Sequence, residues 1–159
     1  TGTEAALKLG ADVVLHVDAD GQHDPETIPA LFEPIKTGKA DVVFGSRFLG
    51  VESPGMPLLR RGVLFVGRVF SSFALGIPRR VTDPQSGLRA MTADAARRVD
   101  FRQDRMAHCS EILRLVTHSD LRWTEVPTRI RYTPETLAKG NKTSDAVKIV
   151  WHLLLGAFQ

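Results

Sequence analysis

The chain has 159 residues, 43% hydrophobic and 25% charged, with a net charge of +3, which is enough for one domain with a buried core and permits an anionic partner without demanding one. The single cysteine, Cys109, excludes an internal disulfide and a Cys-rich zinc site, and the five histidines lack metal-ligand spacing. No apolar run is long enough to span a bilayer, and the opening residues carry no signal-peptide pattern.

Residues 1–10 read as the tail of a helix already under way, with Gly10 as its C-cap, so the amino-terminal part of the protein is expected to lie upstream. Residues 12–17 form an apolar strand that runs into Asp18-Ala19-Asp20-Gly21-Gln22-His23-Asp24-Pro25-Glu26. Within a strand, alternation would send Asp18 and Asp20 to opposite faces. At its carboxyl end, where the chain turns at Gly21, both can converge on one hard cation such as Mg²⁺ or Mn²⁺, with the Gln22 amide oxygen as a third ligand. Such a cation commonly bridges to a substrate phosphate. The bland alternative is an ordinary surface turn.

Asp24 can cap a following helix, with Pro25 at its first position and Ile28, Leu31, Phe32 and Ile35 at helical spacing. Pro29 and Pro34 predict a short or broken helix, and Gly38 ends it. Residues 41–44 make a second buried strand, followed by Gly45-Ser46-Arg47. A strand–helix–strand unit with the usual crossover sets the two strands parallel, so Asp18, Asp20, Ser46 and Arg47 fall on one sheet edge, where open α/β sheets bind ligands. For Arg47 the competing account is a surface ion pair.

Residues 48–57, rich in Gly and Pro, read as a loop. The apolar stretch 62–76 is a core helix by default. The basic flank of Arg60, Arg61, Arg79 and Arg80 suggests an interfacial helix instead. Residues 81–90 are polar and turn-rich. Short helices are expected over 92–98 and over 108–116, the latter with Glu111 near its start and Ile112, Leu115 and Val116 inward. Residues 123–127 and 129–132 suggest a β element, 132–142 a polar connector, and 144–158 an amphipathic tail.

Taken in order, these segments resemble a family 2 glycosyltransferase of the GT-A fold, and within it the dolichol-phosphate mannose synthase and polyprenyl-phosphate glycosyltransferase group. Asp18-Ala19-Asp20-Gly21-Gln22 with Pro25-Glu26 resembles the Asp-x-Asp metal motif. Gly45-Ser46-Arg47, Asp83-Pro84-Gln85-Ser86-Gly87-Leu88-Arg89-Ala90, Glu111 and Glu125-Val126-Pro127 resemble the segments that follow it. Leu88 stands where Phe is commoner, and only Lys139-Gly140-Asn141-Lys142 answers to the family's late Arg/Lys segment.

The resemblance implies an α/β, Rossmann-like fold of which this chain is the carboxy-terminal portion, with a mixed, mostly parallel sheet flanked by helices. It implies one partial catalytic domain over 1–159, the metal and acceptor half, with the nucleotide-base half upstream and 144–159 as an interfacial helix. The implied activity is inverting, metal-dependent transfer from a nucleotide diphosphate sugar to a polyprenyl phosphate, by a peripheral protein at the cytoplasmic face of a membrane. The fragment alone need not turn over.

The implied metal ligands are Asp18, Asp20 and Gln22, with Mg²⁺ or Mn²⁺. An ionised lipid phosphate needs cationic positioning rather than a strong base. Arg47, Arg61, Arg89 and Lys142 are the candidates, with Ser86 as a hydrogen-bonding partner. A saccharide hydroxyl acceptor would need a base, Asp83 first and Glu111 second. A phosphohydrolase or nucleotidyltransferase using the same Asp pair would call for a Gly-rich phosphate loop or a further carboxylate cluster, and neither is present. A non-catalytic fragment binding anionic lipid is the other alternative. Nucleic acid is disfavoured because the scattered aromatics make no stacking platform.

Overall fold

The computed structural model describes residues 1–50, 58–74, 76–101 and 107–131. Helix α1 (Gly2–Lys8) opens with a capping box in which the Thr1 hydroxyl accepts the Glu4 N–H, and it closes at Gly10, whose φ of 81° ends the helix. Strand β1 (Val13–His16) follows, then a 3₁₀ turn (Pro25–Thr27) capped by the Asp24 carboxylate, and helix α2 (Ile28–Lys36). As the two prolines predict, α2 is short; it stops before Gly38, where φ is 66°. Strand β2 (Val42–Ser46), helix α3 (Leu58–Ala74), strand β3 (Arg89–Thr92), helices α4 (Ala93–Arg98) and α5 (Ala107–Thr117), and strand β4 (Trp123–Pro127) complete the order.

The sheet order is β1-β3-β2-β4. β1 and β2 each pair antiparallel with β3, and β4 pairs parallel with β2, so β1, β2 and β4 run one way and β3 alone opposes them. The expected parallel relation of the first two strands therefore holds, and their carboxyl ends do share an edge. What the residue pattern did not announce is β3, which sits between them. Its first residues, Arg89 and Ala90, fall in the 81–90 stretch that reads as polar turn, and Arg89 is only 1% exposed.

Both sheet faces are covered, which explains why β2 is buried at all five positions. Val14, Val42, Phe44 and Met91 pack with Ala95, Ala96, Ile112, Leu113 and Val116 of α4 and α5. On the other face Val43, Leu88 and Ala90 pack against Leu31 of α2. Full burial of each such aliphatic side chain is worth about 1.5–3 kcal/mol. On α5 the inward stripe is Cys109, Ile112, Leu113 and Val116; Leu115 lies off it and is 39% exposed, against expectation. Cys109 packs as expected.

Helix α3 departs furthest from a core helix. Ser71 is buried, while Phe65 and Phe73 are 64% and 77% exposed, with Val66 and Val69 also exposed. The helix docks through its small residues: a Cβ added to Gly67 would lie 2.5 Å from Nε2 of Gln85. Arg68 ties the helix to the next segment by donating to the Arg79 carbonyl at 3.0 Å. No helix among the described residues is long and apolar enough to cross a membrane. The expected connector and tail at 132–158 and most of the 48–57 loop lie outside the described residues.

Candidate active site

The carboxyl edge of the sheet gathers three segments: the turn after β1, the turn after β2, and residues 82–88 leading into β3. The β1–β3 register, with His16 opposite Arg89, continues so as to set Asp18 beside Gly87. The approach is close. A Cβ on Gly87 would stand 2.5 Å from Asp18 Oδ2, so any other residue here would displace that carboxylate. Asp18 is held from the other side by His23, whose Nε2 is 3.7 Å away, and this contact keeps its carboxyl below the ordinary carboxylate range against the effect of partial burial.

Gly21, at φ 74°, makes the turn, and Asp20 Oδ1 accepts the Gln22 N–H at 2.9 Å. Gln22 is buried and Asp20 exposed. The turn is then stitched to the chain after β4. Arg131 N–H donates to the Gln22 carbonyl at 2.8 Å, Asp24 N–H to the Arg129 carbonyl at 3.3 Å, and His23 bridges to Ile130. Asp24 is 1% exposed. Burial pushes its carboxyl up, but the Glu26 N–H and the Arg131 guanidinium, 2.9 Å away, outweigh this and leave it lowered. Asp24 and Arg131 thus brace the Asp18–Gln22 turn, a function the sequence reading gave only in part, as a helix cap.

Two carboxylates and one amide are hard oxygen donors, the set that suits Mg²⁺ or Mn²⁺. No group of three or more His, Cys, Asp or Glu able to hold a metal occurs among the described residues.

Behind β2, Ser46 is fully buried and its hydroxyl lies 2.5 Å from that of Thr82. Asp83, 3% exposed, binds Arg47 at two points, Nε to Oδ2 and Nη2 to Oδ1, each 2.6 Å, and its Oδ2 also accepts the Arg47 backbone N–H at 3.1 Å. The Asp83 carboxylate is thus engaged by both the side chain and the main chain of Arg47. Ser86 follows in the same turn, its N–H donating to the Asp83 carbonyl at 3.2 Å.

The other expected site residues are dispersed. Arg89 is sequestered: Nε donates to the Gly87 carbonyl at 3.3 Å, Nη2 to Cys109 Sγ at 3.2 Å, and buried Nη1 has no hydrogen-bond partner. It supports the Gly87 backbone from a buried position. A cavity of about 620 Å³ beside β1 is lined by His16, Asp18, Gly87, Arg89 and His108. Glu111, on α5, does not line it. Arg61 is exposed on α3. Lys142 lies outside the described residues.

The sequence profile of the glycosyl transferase family 2 domain matches residues 3–81. A UDP-N-acetylglucosamine–dolichyl-phosphate N-acetylglucosaminyltransferase of Methanococcus voltae is 37% identical over 158 residues, which cover 98% of this chain and 62% of that protein. A dolichol-phosphate mannosyltransferase of Pyrococcus furiosus is 33% identical over 154 residues, 92% of this chain and 42% of that protein. An undecaprenyl-phosphate mannosyltransferase of Micrococcus luteus is 37% identical over 101 residues, 63% of this chain and 40% of that protein. The chain thus spans less than two thirds of the length of these relatives.

Proposed function

The chain belongs to glycosyl transferase family 2, and from that premise we propose that the protein containing it moves a sugar from a nucleotide diphosphate sugar to a polyprenyl phosphate. Three relatives bear names that specify dolichyl- or undecaprenyl-phosphate substrates. The observation that carries the reading is the shared edge: the carboxylate turn 18–22 and the Arg47–Asp83 pair border the same sheet end.

In the reaction, the anomeric C–O bond to the diphosphate breaks and a new C–O bond forms to an oxygen of the lipid phosphate, with inversion at that carbon. The nucleoside diphosphate leaves with the bonding pair. Asp18, Asp20 and Gln22 would hold Mg²⁺ or Mn²⁺, which would supply Lewis-acid stabilisation of the charge on that leaving group. Gly87 leaves room for the Asp18 carboxylate, and Asp24 with Arg131 keeps the turn in place. Arg47 and Ser86 border the acceptor side, with Arg61 and Lys142 as further cations.

The ion pair of Asp83 with Arg47 favours a phosphate acceptor over a saccharide hydroxyl. A phosphate monoester arrives ionised and needs no base, whereas a hydroxyl needs one and Asp83 is already engaged. The outward apolar face of α3, flanked by Arg61, Arg79 and Arg80, supports adsorption to an anionic membrane surface, at the cytoplasmic face where nucleotide sugars are available. The test is acceptor competition by the full-length protein with a panel of labelled nucleotide sugars. Product on polyprenyl phosphate supports this reading, and product only on a free saccharide favours the hydroxyl alternative.

A further inference from the structure

Glu125 has no part in the chemistry above, yet its carboxylate is the hub of the acceptor side. By register it sits on β4 opposite Phe44. Oε1 accepts the backbone N–H of Thr82 at 3.0 Å and of Asp83 at 3.2 Å. Oε2 accepts the same Thr82 N–H at 2.9 Å and the Thr82 hydroxyl at 3.0 Å. Hydrogen bonds to an ionised carboxylate are about twice as strong as neutral ones.

Two chains of contacts leave this carboxylate and end on the same segment. One runs through Asp83 to the Nε, Nη2 and backbone N–H of Arg47. The other runs through the Thr82 hydroxyl to the Ser46 hydroxyl, which accepts the Phe48 N–H at 3.2 Å. Main chain and side chain of residue 47 are thereby referenced to β4. We propose that Glu125 is a positioning residue that sets the Arg47 guanidinium through the 82–83 turn, so that acceptor affinity depends on a side chain that never touches the acceptor. This rests on the reading of Arg47 as a contact of the lipid phosphate.

Glu125→Gln keeps the volume and replaces one acceptor oxygen by an NH₂ donor. The Thr82 hydroxyl can turn to accept from it, but a backbone N–H cannot, so the 82–83 turn loses part of its anchor. In the full-length protein, Glu125→Gln is expected to raise KM for polyprenyl phosphate about tenfold, the scale expected when a binding group shifts by under an ångström. The donor KM is expected to stay within about twofold, since the 18–22 turn is braced separately by Asp24 and Arg131.

The Arg47 Nε–H resonance, protected by Asp83 in the native protein, is expected to be lost to exchange in the variant. Thr82→Val cuts only the hydroxyl chain and serves if Glu125→Gln does not fold; it is expected to raise the acceptor KM by a smaller factor. An unchanged acceptor KM, or a uniform loss in kcat and both KM values that tracks melting temperature, overturns the proposal. If the native protein makes no lipid product, the acceptor reading fails. The resonance still decides the positioning claim, which is overturned by its persistence in Glu125→Gln.

Discussion

Asp83 and Arg47 form a two-point ion pair, 2.6 Å at each point, in which the Asp83 side chain is wholly buried and the Arg47 side chain 11% exposed. Removing one partner of a buried pair strands the other charge, so Asp83→Ala is expected to cost roughly 3–5 kcal/mol in unfolding free energy. Adding Arg47→Met to that variant should recover part of the loss, because no guanidinium is then left buried. Urea denaturation of the native, single and double variants checks both statements. Additive losses would show that the two residues act independently.

Gly87 separates a structural from a functional cost. A Cβ there meets the tip of Asp18, a half-exposed side chain that can swing away, so Gly87→Ala should leave the melting temperature nearly unchanged. The displaced carboxylate is a proposed metal ligand, so Mn²⁺ affinity is expected to fall by about 10–100-fold, the range for disturbing groups that orient ligands. Titration followed by electron paramagnetic resonance measures it without turnover. Unaltered Mn²⁺ binding would remove Asp18 from the ligand set.

His16 gives the fold an acid sensitivity of known sign. Burial first, then the Arg89 guanidinium and His108, lower its pKa from 6.5 to about 4. Between those values the unfolded chain takes up a proton that the folded chain refuses. Stability therefore falls as pH drops from 6.5 towards 4 and is unaffected by this group above 7. Discounted for its partial exposure, the loss is roughly 1–2 kcal/mol. His16→Gln should flatten this part of the stability–pH curve measured by urea melts; an unchanged slope would refute the assignment.

The outward face of α3 is the expected membrane contact. Phe65 and Phe73 are mostly exposed, so replacing both by Ser should alter stability by no more than about 0.5 kcal/mol. Sedimentation with vesicles containing anionic lipid should show weaker adsorption for the double variant than for the native protein. Equal adsorption would place the contact elsewhere.

How far the sequence disclosed this arrangement depends on what each residue does. The 18–22 turn was legible because carboxylates, Gly21 and a capping Asp24 each have a local preference that agrees with the fold. Strand β3 was not, because Arg89 and Gly87 read as turn residues until β1 and β2 close over them and bury the guanidinium. The inward face of α3 was not legible either, because Gly67, whose missing Cβ allows the close approach to Gln85, leaves no apolar mark in the sequence. Glu125 was visible only as part of a family segment, since its partners are backbone N–H groups more than forty residues distant. Such non-local contacts leave no period in the sequence.

The most direct test of the account is sugar transfer to polyprenyl phosphate by the full-length protein, with Mg²⁺ or Mn²⁺ and with Asp20→Asn alongside. Lipid-linked product is expected that requires the metal and falls at least about a hundredfold in the variant, the scale for losing transition-state charge stabilisation. Product formed equally well by Asp20→Asn, or without any divalent cation, would contradict it.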